Sequence, residues 1–246
     1  MRESTPMYVG YLPLPQRCKG AVLGAAAMVL LGAAALAGGL AASQRHPGDA
    51  VWDIAAERSW SGTLVLEPYP MLVDSEGVGW FVVGIGKFGV HDRLAGFDGG
   101  AVTVRGYALQ REHRRMIELG PGAGAIELVG DAGASTAPPL SNVREVAFVG
   151  EIVDGKCYLG AMKPGDGKAH KACATLCIEG GLPPLVAGEI PGAGGLYPLL
   201  RVDGHSVLPS EVLALVGEPV RIRGRLGEIN GLPVLDIKAG DVEPAG

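Results

Sequence analysis

Residues 101–119, AVTVRGYALQREHRRMIEL, and residues 219–237, PVRIRGRLGEINGLPVLDI, decide the fold. They align at a constant offset of 118. Val102-x-Val104-Arg105-Gly106 falls on Val220-x-Ile222-Arg223-Gly224, and Met116-Ile117-Glu118-Leu119 on Val234-Leu235-Asp236-Ile237. Each stretch reads as two strands of period 2 joined by a polar turn, with Asn230-Gly231 the turn signal of the second. Working outward, Gly62-Thr63-Leu64-Val65 matches Gly150-Glu151-Ile152-Val153 at an offset of 88, and the apolar run 80–85 has a counterpart near 197–202. Helical turns at 92–95 and 209–216 precede the two hairpins. The order strand, strand, short helix, hairpin predicts a small, partly open β-barrel of the OB type, present twice.

Residues 21–42, AVLGAAAMVLLGAAALAGGLAA, carry no charge, and 22 residues of helix span a hydrocarbon core. Arg2, Arg17 and Lys19 precede this block, while Arg45, Asp49, Asp53 and Glu57 follow it, which favours a cytoplasmic N-terminus. A cleaved signal peptide is the alternative, but the apolar run exceeds the usual signal core. Both readings export the rest of the chain. Its many Gly and Ala residues would let the helix pack closely on a membrane partner.

The expected class is therefore mainly β, with one N-terminal transmembrane helix followed by two small OB-like β-barrel modules. The expected divisions are a cytoplasmic tail 1–20, the membrane helix 21–42, a linker 43–58 and a first module 59–130. A turn-rich linker 131–145, a second module 146–240 and a tail 241–246 complete the chain. Because the offset grows from 88 to 118, the second module holds about thirty extra residues between its first two strands, and three of the four cysteines lie there.

That insertion, 154–184, reads DGKCYLGAMKPGDGKAHKACATLCIEGGLPP. Lys163-Pro164-Gly165-Asp166-Gly167 forms a turn, since Pro lacks an amide donor and Gly accepts positive φ. Residues 168–179 then suit a short helix closed by Gly180-Gly181. On it His170, Cys173 and Cys177 would share one face, and the turn would return Cys157 to them. One imidazole and three thiols make a four-ligand set for a soft or borderline metal such as zinc, copper or iron. Met162 is a further thioether donor for a cuprous ion. Two alternatives stand beside it: a structural disulfide from Cys157 to Cys173 or Cys177, and thiol–disulfide redox chemistry at a lowered-pKa cysteine beside Lys171.

The motif Asp154-x-Lys156-Cys157-Tyr158, His170-x-x-Cys173-Ala174-x-x-Cys177, then Gly181-x-Pro183 resembles a group of small exported bacterial proteins. They share D-x-K-C-Y, H-x-x-C-A-x-x-C and G-x-P before a β-rich tail with a V-x-V-x-G hairpin. The resemblance covers 148–240. It implies that the Cys/His cluster is one unit, and it implies no reaction.

Other chemistry is argued against by the residues. A net charge of −5 with no basic run disfavours nucleic acid. A phosphate loop fails because Asp166 stands where Lys is needed, and no C-x-x-C-H haem motif occurs. Lys87, His91 and Asp92 read as a solvated loop, and Arg111, His113, Arg114 and Arg115 as a solvated hairpin tip. The expectation is a binding role rather than catalysis: a single-pass bacterial inner-membrane protein with periplasmic domains, binding a metal or cofactor at Cys157, His170, Cys173 and Cys177. It would serve as an accessory protein, with a subunit of a membrane redox complex as one form of that role. A disulfide-stapled interaction module and a thiol redox protein are the alternatives.

Overall fold

A computed structural model describes residues 15–43, 49–131, 133, 139–192 and 194–246. Residues 1–14 of the expected tail, and residues 44–48, 132 and 134–138 of the expected linkers, lie outside the described residues. Two compact units divide the chain, 1–46 and 47–246.

The first unit holds helix α1, Gln16–Ser43, whose described residues bury no side chain. Its 28 residues make it about 42 Å long, and it is apolar enough to cross a membrane. Ala and Leu favour the helix, and no Pro interrupts it.

The second unit is mainly β. Strands β1 (Val51–Val65), β2 (Met71–Val73), β3 (Gly79–Val83), β4 (Ala101–Arg111), β5 (Arg114–Leu119) and β6 (Ile126–Leu128) form the first sheet. Its pairing runs β1-β2-β3-β5-β4, and β4 returns to β1, closing a five-stranded barrel with β6 added to β4. The parallel pair is β3 with β5. Strands β7 (Ser141–Asp154), β8 (Pro184–Gly188), β9 (Leu199–Val202), β10 (Pro219–Ile229), β11 (Leu232–Ile237) and β12 (Val242–Pro244) form the second sheet. It pairs in the corresponding order, β7-β8-β9-β11-β10 and back to β7, with β12 on β10. Short helices α2 (His91–Leu94) and α4 (Ser210–Leu213) precede β4 and β10, and α3 (Lys171–Glu179) lies in the insertion between β7 and β8. Both modules are OB-like. Strands β1 and β7 begin at Val51 and Ser141, inside stretches that the sequence pattern assigns to linkers.

The period-2 pattern explains how the modules join. Leu64, Val82 and Ile117 point into the first barrel, while their neighbours Val65, Phe81 and Met116 point out of it. In the second module Val186, Leu200 and Leu235 point inward and Leu185, Leu199 and Val234 outward. The outward sets of both modules meet in one buried cluster that also contains Cys157 and Cys177. Strands buried on both faces read as continuous apolar runs rather than alternating ones, as in Phe81-Val82-Val83.

The hairpin tip of β4 and β5 is solvated only in part, with His113 exposed and Arg115 half-buried. Arg111 and Arg114 are buried. The Arg114 Nε donates to the Leu196 carbonyl at 2.9 Å, and the Arg111 guanidinium lies 4.0 Å from the centre of the Tyr158 ring. A planar guanidinium stacked on an aromatic face gains a cation–π attraction that offsets part of the cost of such burial.

Candidate metal centre

The centre is built by three segments of the insertion and one loop of the first module. Strand β7 ends at Asp154, whose carboxylate accepts the Cys157 amide at 2.8 Å and so starts the wide helical turn Cys157–Ala161. The Pro-Gly turn folds back on it: a side chain at Gly165 would meet the Cys157 carbonyl at 2.5 Å. The Glu151 carboxylate accepts the Gly167 amide at 2.6 Å, tying the far side of the turn to β7.

Helix α3 starts at Lys171, three residues later than the composition suggests, because the amides of His170 and Lys171 are spent on turns back to Gly167 and Lys168. His170 therefore stands at the N-cap and not on the helix. Cys173 and Cys177, four residues apart, share a face of α3. Ala174 and Ile178 face the core of the second barrel. The helix ends where Gly181, with φ of 94°, turns the chain so that the Leu182 amide donates to the Cys177 carbonyl at 3.0 Å.

The Sγ atoms of Cys157, Cys173 and Cys177 lie within 4.8 Å of one another. Cys157 and Cys177 are buried and Cys173 half-buried. A second group, Asp154, Cys157 and His170, shares Cys157 with the first and is fully buried. Its His170 Nε2 is 3.0 Å from the Asp154 Oδ2. The four residues singled out from the sequence are thus brought close, but as two overlapping triplets rather than one tetrahedral set. The disulfide staple is not formed: the cysteines are free thiols, and Cys157 and Cys177 meet through a hydrogen bond instead.

Lys87 is the residue that spacing did not reveal. It lies in the loop 84–90 of the first module, and its Nζ donates to the Cys173 Sγ at 2.7 Å and faces the Cys177 Sγ at 3.4 Å. The loop is held in turn by Lys156, the neighbour of Cys157. The Lys156 Nζ donates to the carbonyls of Gly84 and Gly86 at 2.8 and 2.9 Å and pairs with the buried Glu118. The Gly89 amide donates to the Gly180 carbonyl at 2.8 Å, and a side chain at Gly180 would collide with the Lys87 carbonyl at 2.0 Å. A contact across 86 residues of chain leaves no local signal.

Electrostatics follow from these contacts. The hydrogen bond to Cys173 holds the Lys87 ammonium well above the ordinary lysine range, against the opposing effect of burial. The hydrogen bond from Cys157 pulls the Cys177 thiol down, and the Lys87 charge adds to that. Cys157 moves the other way, raised first by the same hydrogen bond and then by burial and the Asp154 charge. His170 is raised, chiefly by its hydrogen bond to Asp154. The Cys157 hydrogen bond and the Lys87 ammonium thus favour the thiolate form at Cys177 over Cys157.

The three sulfurs fit a metal ion. Thiolates bound at about 2.3 Å in a tetrahedral or trigonal arrangement stand roughly 3.8–4.0 Å apart. The 4.8 Å within which the three Sγ atoms lie includes that separation. A cleft of about 620 Å³ on the seam between the modules is lined by Tyr69, His91, Glu179 and His205, and the sulfur-bearing residues do not line it. Compared with family models, curated proteins and solved structures, the chain matches none.

Proposed function

We propose that this chain is a membrane-tethered, periplasm-facing protein that holds a soft metal ion at Cys157, Cys173 and Cys177, as an accessory to a membrane complex. The observation that carries the reading is the convergence of three sulfurs from two separate segments within 4.8 Å in a largely buried place. Three free thiols in contact would be lost to disulfides in an oxidising compartment unless something ligates them. Helix α1 supplies the tether, and its small residues suit packing against a membrane partner. The likeness to small exported bacterial proteins with the same Cys/His string supports the cluster as a unit.

Elemental analysis of the full chain, purified in detergent under anaerobic reducing conditions, tests this. Stoichiometric metal that is lost on Cys173→Ser and Cys177→Ser is the expected result. A metal-free chain after loading discards the reading.

A second reading is favoured by the Lys87 contact, because an ammonium against a sulfur is also what a reactive thiolate needs. Thiol–disulfide exchange would then form a mixed disulfide at Cys173 or Cys177 with an oxidised partner, releasing one partner thiol. Trapping that species with a model disulfide, and its absence in Cys177→Ser, would support exchange over ligation.

A further inference from the structure

Resting on the soft-metal reading above, we infer that the ion is cuprous and three-coordinate, held by Cys157, Cys173 and Cys177 with the Lys87 ammonium in the remaining direction. Zinc takes four donors, or three and a water. Among the described residues, no His, Asp or Glu joins the three sulfurs within the 4.8 Å that encloses them. His170, the expected fourth donor, is turned instead to Asp154, 3.0 Å from its Nε2.

A group that cannot ligate stands against the sulfurs. The Lys87 Nζ is 2.7 and 3.4 Å from two of the sulfurs, and an ammonium has donors and no lone pair. Its repulsion on a divalent ion is twice that on a monovalent one at the same distance. Two of the sulfurs are buried, and the half-buried third is in contact with the lysine. A cuprous ion is soft, is satisfied by thiolates alone and accepts three of them. Thiol protons leave as it binds, and the ion enters already reduced, so no electron transfer is needed.

The test is a competition. The full chain in detergent is incubated anaerobically with equal cuprous and zinc ions, desalted, and analysed for both metals and by X-ray absorption at the copper edge. Copper retained at least roughly tenfold over zinc, with a shell of three sulfurs and no nitrogen, is expected. Lys87→His places an imidazole in the lysine's direction and should raise zinc retention by about tenfold or more.

Zinc retained over copper by the native chain, or a nitrogen donor in the copper shell, overturns the inference and leaves the soft-metal reading standing. Retention of neither ion removes both. Unchanged zinc content in a Lys87→His protein with native circular dichroism would overturn the place given to Lys87, whereas the competition on the native chain stands without that variant.

Discussion

At the scale of single residues, the most consequential contact is between two side chains that never touch a sulfur. Lys156 and Glu118 pair across the seam with side chains 4% and 7% exposed. A charge pair this buried contributes little beyond an apolar pair of equal volume, yet breaking it leaves one charge stranded. Lys156→Met should therefore cost about 3–5 kcal/mol in urea unfolding, and Glu118→Leu added to it should recover much of that. If the double substitution is as unstable as the single, the pair is not what holds the loop. His170 carries a pH signature. Its folded pKa is raised above the ordinary 6.5 by Asp154, so the stability from this pair is complete below that value. It is lost as pH rises through the raised value. The urea midpoint should fall over this range in the native protein relative to His170→Gln, in which a flat difference would show that the pair does not titrate.

At the scale of elements, helix α3 connects two cores and presents its thiols to a loop of the other module. Gly180 is where that loop comes closest, and a side chain there would meet the Lys87 carbonyl at 2.0 Å. Gly180→Ala should cost roughly 1–3 kcal/mol through overpacking, and it should displace Lys87 and speed alkylation of Cys173. Unaltered alkylation would mean that the loop adjusts elsewhere. For α1, Leu30→Lys puts a charge near the middle of the 28-residue helix. At about 2.5–3.5 kcal/mol against insertion, it should shift the chain toward the carbonate-extractable fraction. These elements differ in how far they could be read from residues alone. Strands β4, β5, β10 and β11 coincide with the quoted stretches because alternation and the Asn-Gly turn are local signals. The start of α3 was less legible, since Lys168 and Ala169 have good helix propensity and only the turn hydrogen bonds to Gly167 and Lys168 exclude them. Lys87, Arg111 and Arg114 read as solvated because nothing near them in sequence names a partner. Their partners lie in the other module, and such contacts leave no periodicity.

At the scale of the whole 47–246 unit, the centre belongs to neither module alone. The outward faces of β3, β5, β8, β9 and β11 form one apolar seam, and the sulfurs sit at its edge with a lysine supplied from across it. Phe81, 1% exposed, lies in this seam and packs edge-on to Tyr69, whose hydroxyl donates to the Gly181 carbonyl just beyond α3. Truncating it removes packing from both modules together. Phe81→Ala should cost about 3–5 kcal/mol and lower metal retention, although the side chain contacts no ligand. Val104→Ala, inside the first barrel only, should also destabilise, by less, and leave retention unchanged in the folded protein. The same coupling predicts one unfolding transition for both modules. Tryptophan emission, which reports Trp52, Trp60 and Trp80 of the first module, should change at the denaturant concentration at which Cys177 in the second becomes reactive. Two separated midpoints would show that the seam is too weak to bind the modules into one folding unit. Lys87 would then reach the thiols by docking rather than by folding, and metal content would follow the docking equilibrium.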